Sequence, residues 1–172
     1  MNVRVLIFLS LLVGIGAVLH TAAPPIFGVK PDMLLSMMFL GIISFPKPKY
    51  VALLAIVTGM ISALTTAAPG GQIGNMIDKP ITAFVFLGLF LLVRNRIPET
   101  LSAPVLTAIG TMISGSIFLG VLLFVLGVMQ GTFIALFTAV VLPAAAINTV
   151  IMVIVYPIVQ GILKRARPIT AT

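Results

Sequence analysis

The chain has 172 residues, of which 60% are hydrophobic and only 8% charged, and it carries a formal net charge of +7. Its mean hydropathy of +1.30 is more than a soluble domain of this length can cover. Several apolar runs near bilayer length make it an all-α polytopic membrane protein rather than a soluble enzyme or nucleic-acid binder. There is no cysteine, which excludes disulfide frameworks, thiolate metal sites and cysteine nucleophiles.

The first apolar run, residues 3–19, has Arg4 near its start and ends at His20-Thr21-Ala22-Ala23-Pro24-Pro25. A basic start and a small-residue end also describe a secretory signal, but the apolar runs that follow make a first spanning helix the simpler reading. Ser10 and Gly14, four apart, form a small-residue face that lets another helix approach closely. The polar stretch 21–32 then holds three prolines, Phe27, Lys30 and Asp32. A second helix is expected over 31–45, with Pro31 in its first turn and Pro46-Lys47-Pro48-Lys49 at its end. At roughly 15 residues it is short for a span, so either the bilayer thins around it or its start lies in a protein-lined cavity.

A third helix, 50–67, repeats Ala55, Gly59, Ala63 and Ala67 every fourth residue, with Thr58, Ser62 and Thr66 on a neighbouring stripe, a face built for close packing. Residues 70–80 follow, gathering Gln72, Asn75, Asp78 and Lys79 between two apolar runs. Lipid offers no partner for such groups, so they face water, each other or a ligand. This stretch reads as a loop leading into a fourth helix, 80–94, again short and proline-started. Arg94, Arg96 and Glu99 form the next polar turn. The fifth helix, 104–129, carries Thr107, Gly110, Thr111, Ser114 and Gly115 on its first half. After a turn at Gln130-Gly131, the sixth runs to residue 163 and a tail with Lys164, Arg165 and Arg167. Pro143 and Asn148 give that last helix a kinked, partly polar interior face.

The expected architecture is a single domain, 1–172, of six transmembrane helices. Arg4, Lys47, Lys49, Arg94, Arg96, Lys164, Arg165 and Arg167 fall on one side of it, and only Lys30 and Lys79 on the other. By the positive-inside rule both termini are cytoplasmic and the two polar loops face outward. Both loops begin Thr-Ala-Ala-Pro, at Thr21 and Thr66, and both end with Asp, Lys and Pro beside a helix start. Two equivalent hairpins would then flank one site.

The chemistry available there suits a small amphoteric ligand. A helix N-terminus attracts a carboxylate, and Lys30 or Lys79 adds a full charge. Asp32 or Asp78 can hold an ammonium, and the apolar helices can bury a large side chain; binding sites at abruptly started helices are common in transporters. Each part has a plainer reading. The Lys–Asp pairs serve equally as neutralised surface charge, Gln72 and Asn75 as turn residues, and Asn148 as interhelical glue. His20 reads as a helix-end residue at the interface more readily than as a ligand contact, and Phe27, Phe84 and Phe86 as packing or as a pocket wall. No Walker loop occurs, so the chain does not itself hydrolyse ATP. No set of acid, base and nucleophile marks an enzyme, no His/Asp/Glu cluster marks a metal site, and no acidic residue is expected in mid-helix to carry protons.

The stretches LHTAAPPIFGVKPDMLLSMMFLGI, VTGMISALTTAAPGGQIGNMIDKPITAF and VVLPAAAINTVIMVIVYPIVQ resemble the tryptophan-specific substrate-binding (S) component of energy-coupling-factor (ECF) transporters. The similarity runs from the first helix to the basic tail, and the loop with Asn75, Asp78, Lys79 and Pro80 is its most specific part. The resemblance implies a six-helix cell-membrane protein that captures tryptophan from outside, without a cofactor of its own. It further implies a complex with a transmembrane coupling subunit and two cytoplasmic ATPases, which use the ATP. Toppling of the S component in the membrane would release substrate inside. Family members contact the coupling subunit through Ala-xxx-Ala on the first helix; Ser10 and Gly14 stand at the matching positions and are also small. For a tryptophan ligand, Asn75, Gln72 or Asn148 is available to the indole N–H. The alternatives are a solitary facilitator or secondary carrier for amino acids, a vitamin-binding S component, and a membrane adaptor without a ligand.

Overall fold

The computed structural model describes residues 2–25 and 30–165; Phe27 and Arg167 lie outside them. Six helices follow in order: α1 (Val3–Ala22), α2 (Met33–Ser44), α3 (Pro48–Thr65), α4 (Gly71–Val93), α5 (Glu99–Val125) and α6 (Phe133–Arg165). All except α2 are long and apolar enough to cross a bilayer. Among the described residues there is no strand. The chain is thus a multi-pass, all-α membrane bundle, as its composition required.

Helix α2 is the post around which the others stand. Its sequence, MLLSMMFLGIIS, is apolar on every side, and ten of its twelve residues are buried. A helix that is hydrophobic all round belongs inside. It touches each of the other five helices, so its shortness never has to be reconciled with lipid thickness. Of the two expectations for this helix, the protein-lined start is the one observed. Asp32, not Pro31, begins it: the Asp32 carboxylate caps the first turn, accepting from the Leu35 N–H at 2.9 Å.

The fourth helix departs from expectation. Residues 70–80 are not a loop, and α4 does not start at Pro80; it starts at Gly71. Gly70 makes the turn in a left-handed conformation (φ 71°) that suits glycine, and a Cβ there would also meet Val128 at 2.8 Å. Pro80 then sits inside the helix, at the cost of the single hydrogen bond that its missing N–H would make. Its ring packs opposite Gly59 of α3, where a Cβ would lie 3.8 Å from Pro80 Cδ and 3.5 Å from the Asn75 carbonyl oxygen. The small-residue stripe of α3 is therefore where α4 comes closest. Gln72, Asn75, Asp78 and Lys79 become helical residues, and neither Asp78 nor Lys79 stands at a helix N-terminus. Pro104 is likewise internal to its helix, since α5 starts at Glu99.

Helix α5 ends in a π-helical turn, Val121–Val125, in which the Leu126 N–H reaches back to the Val121 carbonyl at 2.9 Å. A second π turn, Phe137–Val141, lies directly before Pro143, so the expected proline irregularity takes this form. The apolar core concentrates at the other end. There Phe39 of α2 and Phe86 of α4 stack with ring centroids 4.0 Å apart, against Gly110 of α5. The Asn2 N–H donates to the Tyr50 hydroxyl at 3.0 Å, and the Tyr156 hydroxyl donates to Glu99 Oε2 at 2.7 Å. With one end filled, space remains at the other.

Candidate binding site

That space is a cavity of about 360 Å³ among the starts of α2 and α4, the middle of α5 and the first half of α6. Pockets for small molecules begin near this size. Its walls are largely apolar, with Leu35, Phe118, Leu119, Met129, Leu136 and Val140 among the lining side chains.

Its charged lining is a cluster that three helices assemble. The N-cap of α2 supplies Asp32, successive positions of α4 supply Asp78 and Lys79, and α5 supplies Ser114. Lys79 Nζ donates to Asp32 Oδ2 at 2.7 Å and to Ser114 Oγ at 3.3 Å, and stands 3.0 Å from Asp78 Oδ2. Asp78 also accepts from Ser114 Oγ at 2.6 Å and from Thr82 Oγ1, one turn along its own helix, at 2.7 Å. Asp78 is fully enclosed and the Lys79 side chain is only 3% exposed, whereas the Asp32 side chain is 25% exposed. A buried charge without a partner costs several kcal/mol, and here each has one. Burial alone would raise the Asp32 carboxyl; Lys79 and His20 beside it, with hydrogen bonds from Lys79 and the Leu35 N–H, outweigh that and hold it below the usual carboxylate range. Two carboxylates and one ammonium leave the cluster with a net charge of −1 while His20 is neutral.

Asp32, Asp78, Lys79 and Asn75 thus meet at one cavity, with Lys30 exposed at its edge. Asn75 Nδ2 is held by the Gly71 carbonyl at 2.9 Å and the Ser62 carbonyl at 3.4 Å. Gln72 is not brought in: it lies exposed on another side of α4. Asn148 is wholly buried outside the lining, its Nδ2 donating at 3.3 Å to Thr111 Oγ1, which does line the cavity. Its Oδ1 has no hydrogen-bond partner. Ser10 and Gly14 are outside the cavity lining, on the exposed face of α1, where a Cβ at Gly14 would meet nothing within 4 Å. Phe86 is core and Phe84 is exposed; among the described residues, Phe118 is the phenylalanine that lines the cavity. No acidic residue was expected in mid-helix, yet Asp78 lies well inside α4, a helix long enough to span.

Three participants were not among the expected site residues. Ser114 was visible only as part of the small polar stripe of α5, and Thr82 carried no signal beyond standing four residues after Asp78. His20 lines the cavity at the end of α1, with Nδ1 3.7 Å from Asp32 Oδ1 and without a hydrogen-bond partner.

Fold and cavity together define a class: a polytopic helical membrane protein with a charged pocket of small-molecule size at one end of its bundle. Residues 2–164 match the family model described as "Tryptophan transporter TrpP". Along 96% of its length the chain is 54% identical to a Bacillus subtilis protein named "Probable tryptophan transport protein", of which the match covers 96%. Proteins of the same name from Clostridium acetobutylicum and Clostridium perfringens are 39% and 34% identical, each over about 95% of this chain and 96% of their own. The chain belongs to this tryptophan transporter family. No solved structure matches it.

Proposed function

We propose that this protein is the substrate-capture subunit for tryptophan uptake across the bacterial cell membrane, working with an ATP-driven ECF module of one transmembrane coupling subunit and two ATPases. The observation that carries the substrate reading is the cavity, an apolar chamber with a net −1 charged cluster in its lining. An amino-acid ammonium neutralises that charge beside Asp32, the more accessible carboxylate, with Asp78 braced behind Lys79. The ligand carboxylate turns toward Lys30 at the edge, and the indole packs against Phe118, Met129 and the aliphatic wall. The orientation follows from charge. With Lys79 inside the cluster, Lys30 is the single basic residue in the connections at the cavity end, against the basic residues of the opposite end. The cavity then faces outward and the termini lie in the cytoplasm. The S-component role rests on the resemblance of the sequence and on the open small-residue face at Ser10 and Gly14.

The absence of tryptophan from the chain makes the test simple. Added tryptophan provides its own fluorescence over a background of two tyrosines. Titration of the detergent-purified protein should shift ligand emission to the blue as the indole enters an apolar chamber, and should raise the unfolding midpoint with ligand concentration. Neither change with tryptophan, in protein shown by circular dichroism to be folded, would overturn the assignment.

A further inference from the structure

We infer that His20 is a substrate-contacting, specificity-determining residue, whose neutral imidazole accepts a hydrogen bond from the ligand ammonium at Nδ1 alongside Asp32 Oδ1. This inference rests on the reading of the cavity as an amino-acid site. Each oxygen of Asp32 already accepts one hydrogen bond, Oδ2 from Lys79 and Oδ1 from the Leu35 N–H. His20 Nδ1 is buried, has no hydrogen-bond partner, and points to within 3.7 Å of Oδ1. A buried imidazole nitrogen left unpaired is unfavourable, and 3.7 Å is too long for a hydrogen bond between the two. His20 and Asp32 both line the cavity. A group with several N–H donors on one positive nitrogen satisfies both acceptors at once and neutralises the cluster. A carboxylate, a neutral amide or a lone indole N–H cannot do both.

The arrangement also makes recognition depend on pH. Protonating His20 removes the acceptor and adds a positive charge where the ammonium binds, so affinity falls once the pH is low enough to charge the imidazole. The charged groups facing His20 are Asp32, Lys30 and Lys79, with Asp78 behind Lys79. A His20→Asn variant retains all of them and keeps an amide oxygen near the Nδ1 position, so a difference in its pH profile belongs to the imidazole.

The experiment measures tryptophan affinity by ligand fluorescence at a series of pH values from 7.5 down to 4.5. The wild type is expected to bind progressively more weakly toward the low end, and His20→Asn to change by less than about twofold. His20→Leu, lacking any acceptor, should bind about tenfold more weakly than wild type at pH 7.5. Should the variants fail to fold, indole-3-propionate, which lacks the ammonium, serves as probe on the wild type. Preference for tryptophan over it should shrink toward the low end of the pH series. Unchanged affinity of His20→Leu at pH 7.5, or a pH dependence in His20→Asn equal to that of the wild type, overturns the role of His20 while leaving the tryptophan site standing. No tryptophan binding to the wild type at pH 7.5 overturns both.

Discussion

At the scale of single residues, the cavity is organised by one ammonium between two carboxylates. Lys79 satisfies Asp78 and Asp32 together, and removing it leaves two buried or half-buried negative charges facing each other. Lys79→Met should therefore cost about 3–5 kcal/mol of stability, read as the shift of a denaturant or thermal unfolding curve in detergent. A loss below about 1 kcal/mol, typical of exposed pairs, would mean that the cluster is open to water. Asp32 adds a pH dependence of definite sign. Its folded carboxyl titrates below the ordinary value of 3.8, so its stabilisation is fully present above that value and is lost as pH falls through the lower, folded-state value. The unfolding midpoint of the wild type should drop more steeply than that of Asp32→Asn as pH falls below about 4. Parallel profiles would remove Asp32 from the account.

At the scale of elements, prolines and glycines do different work from the one their usual positions imply. Pro80 and Pro104 read as helix starts because proline fits a first turn at no cost. Both lie inside longer helices, each forfeiting one hydrogen bond, and Pro80 does so at the closest approach of α3 and α4. Glycine positions also divide by what surrounds them. A Cβ at Gly110 would come within 2.7 Å of Phe39 Cζ and 2.8 Å of Phe86 Cδ2, whereas one at Gly88 would meet nothing within 4 Å. Gly110→Ala is expected to destabilise by about 1–3 kcal/mol through overpacking of the stacked rings. Gly88→Ala should be neutral or stabilising by up to about 1 kcal/mol through helix propensity. Matched unfolding curves of the two variants check this, and equal shifts would contradict the packing of α2, α4 and α5.

At the scale of the whole molecule, the bundle is filled at one end and hollow at the other, and α1 presents Ser10 and Gly14 on an uncovered face. In the proposed complex that face meets the coupling subunit, so Ser10→Leu with Gly14→Leu should abolish co-purification with the coupling subunit and ATPases. Tryptophan binding to the isolated protein should remain within about twofold, because the changes add no contact at the cavity. Retained co-purification would place the partner elsewhere, and failure of the wild type to bring down any ATPase would favour a solitary carrier.

Much of this protein is legible in its one-dimensional pattern, because the hydrophobic runs and the positions of Lys and Arg encode helix number, membrane class and alternation of ends. The charged residues also announced themselves: two of only three acidic residues, Asp32 and Asp78, lie in the cavity lining. What the pattern could not carry was their grouping. Lys79 is 47 residues from Asp32 and 35 from Ser114, and only the packing of α2, α4 and α5 around a shared end brings them within hydrogen-bonding distance. The same packing buries Asp78, leaves Gln72 outside and turns His20 toward Asp32. Sequence decides that such groups must find partners in an apolar medium; tertiary structure decides which partners, because burial and distance are properties of several helices at once.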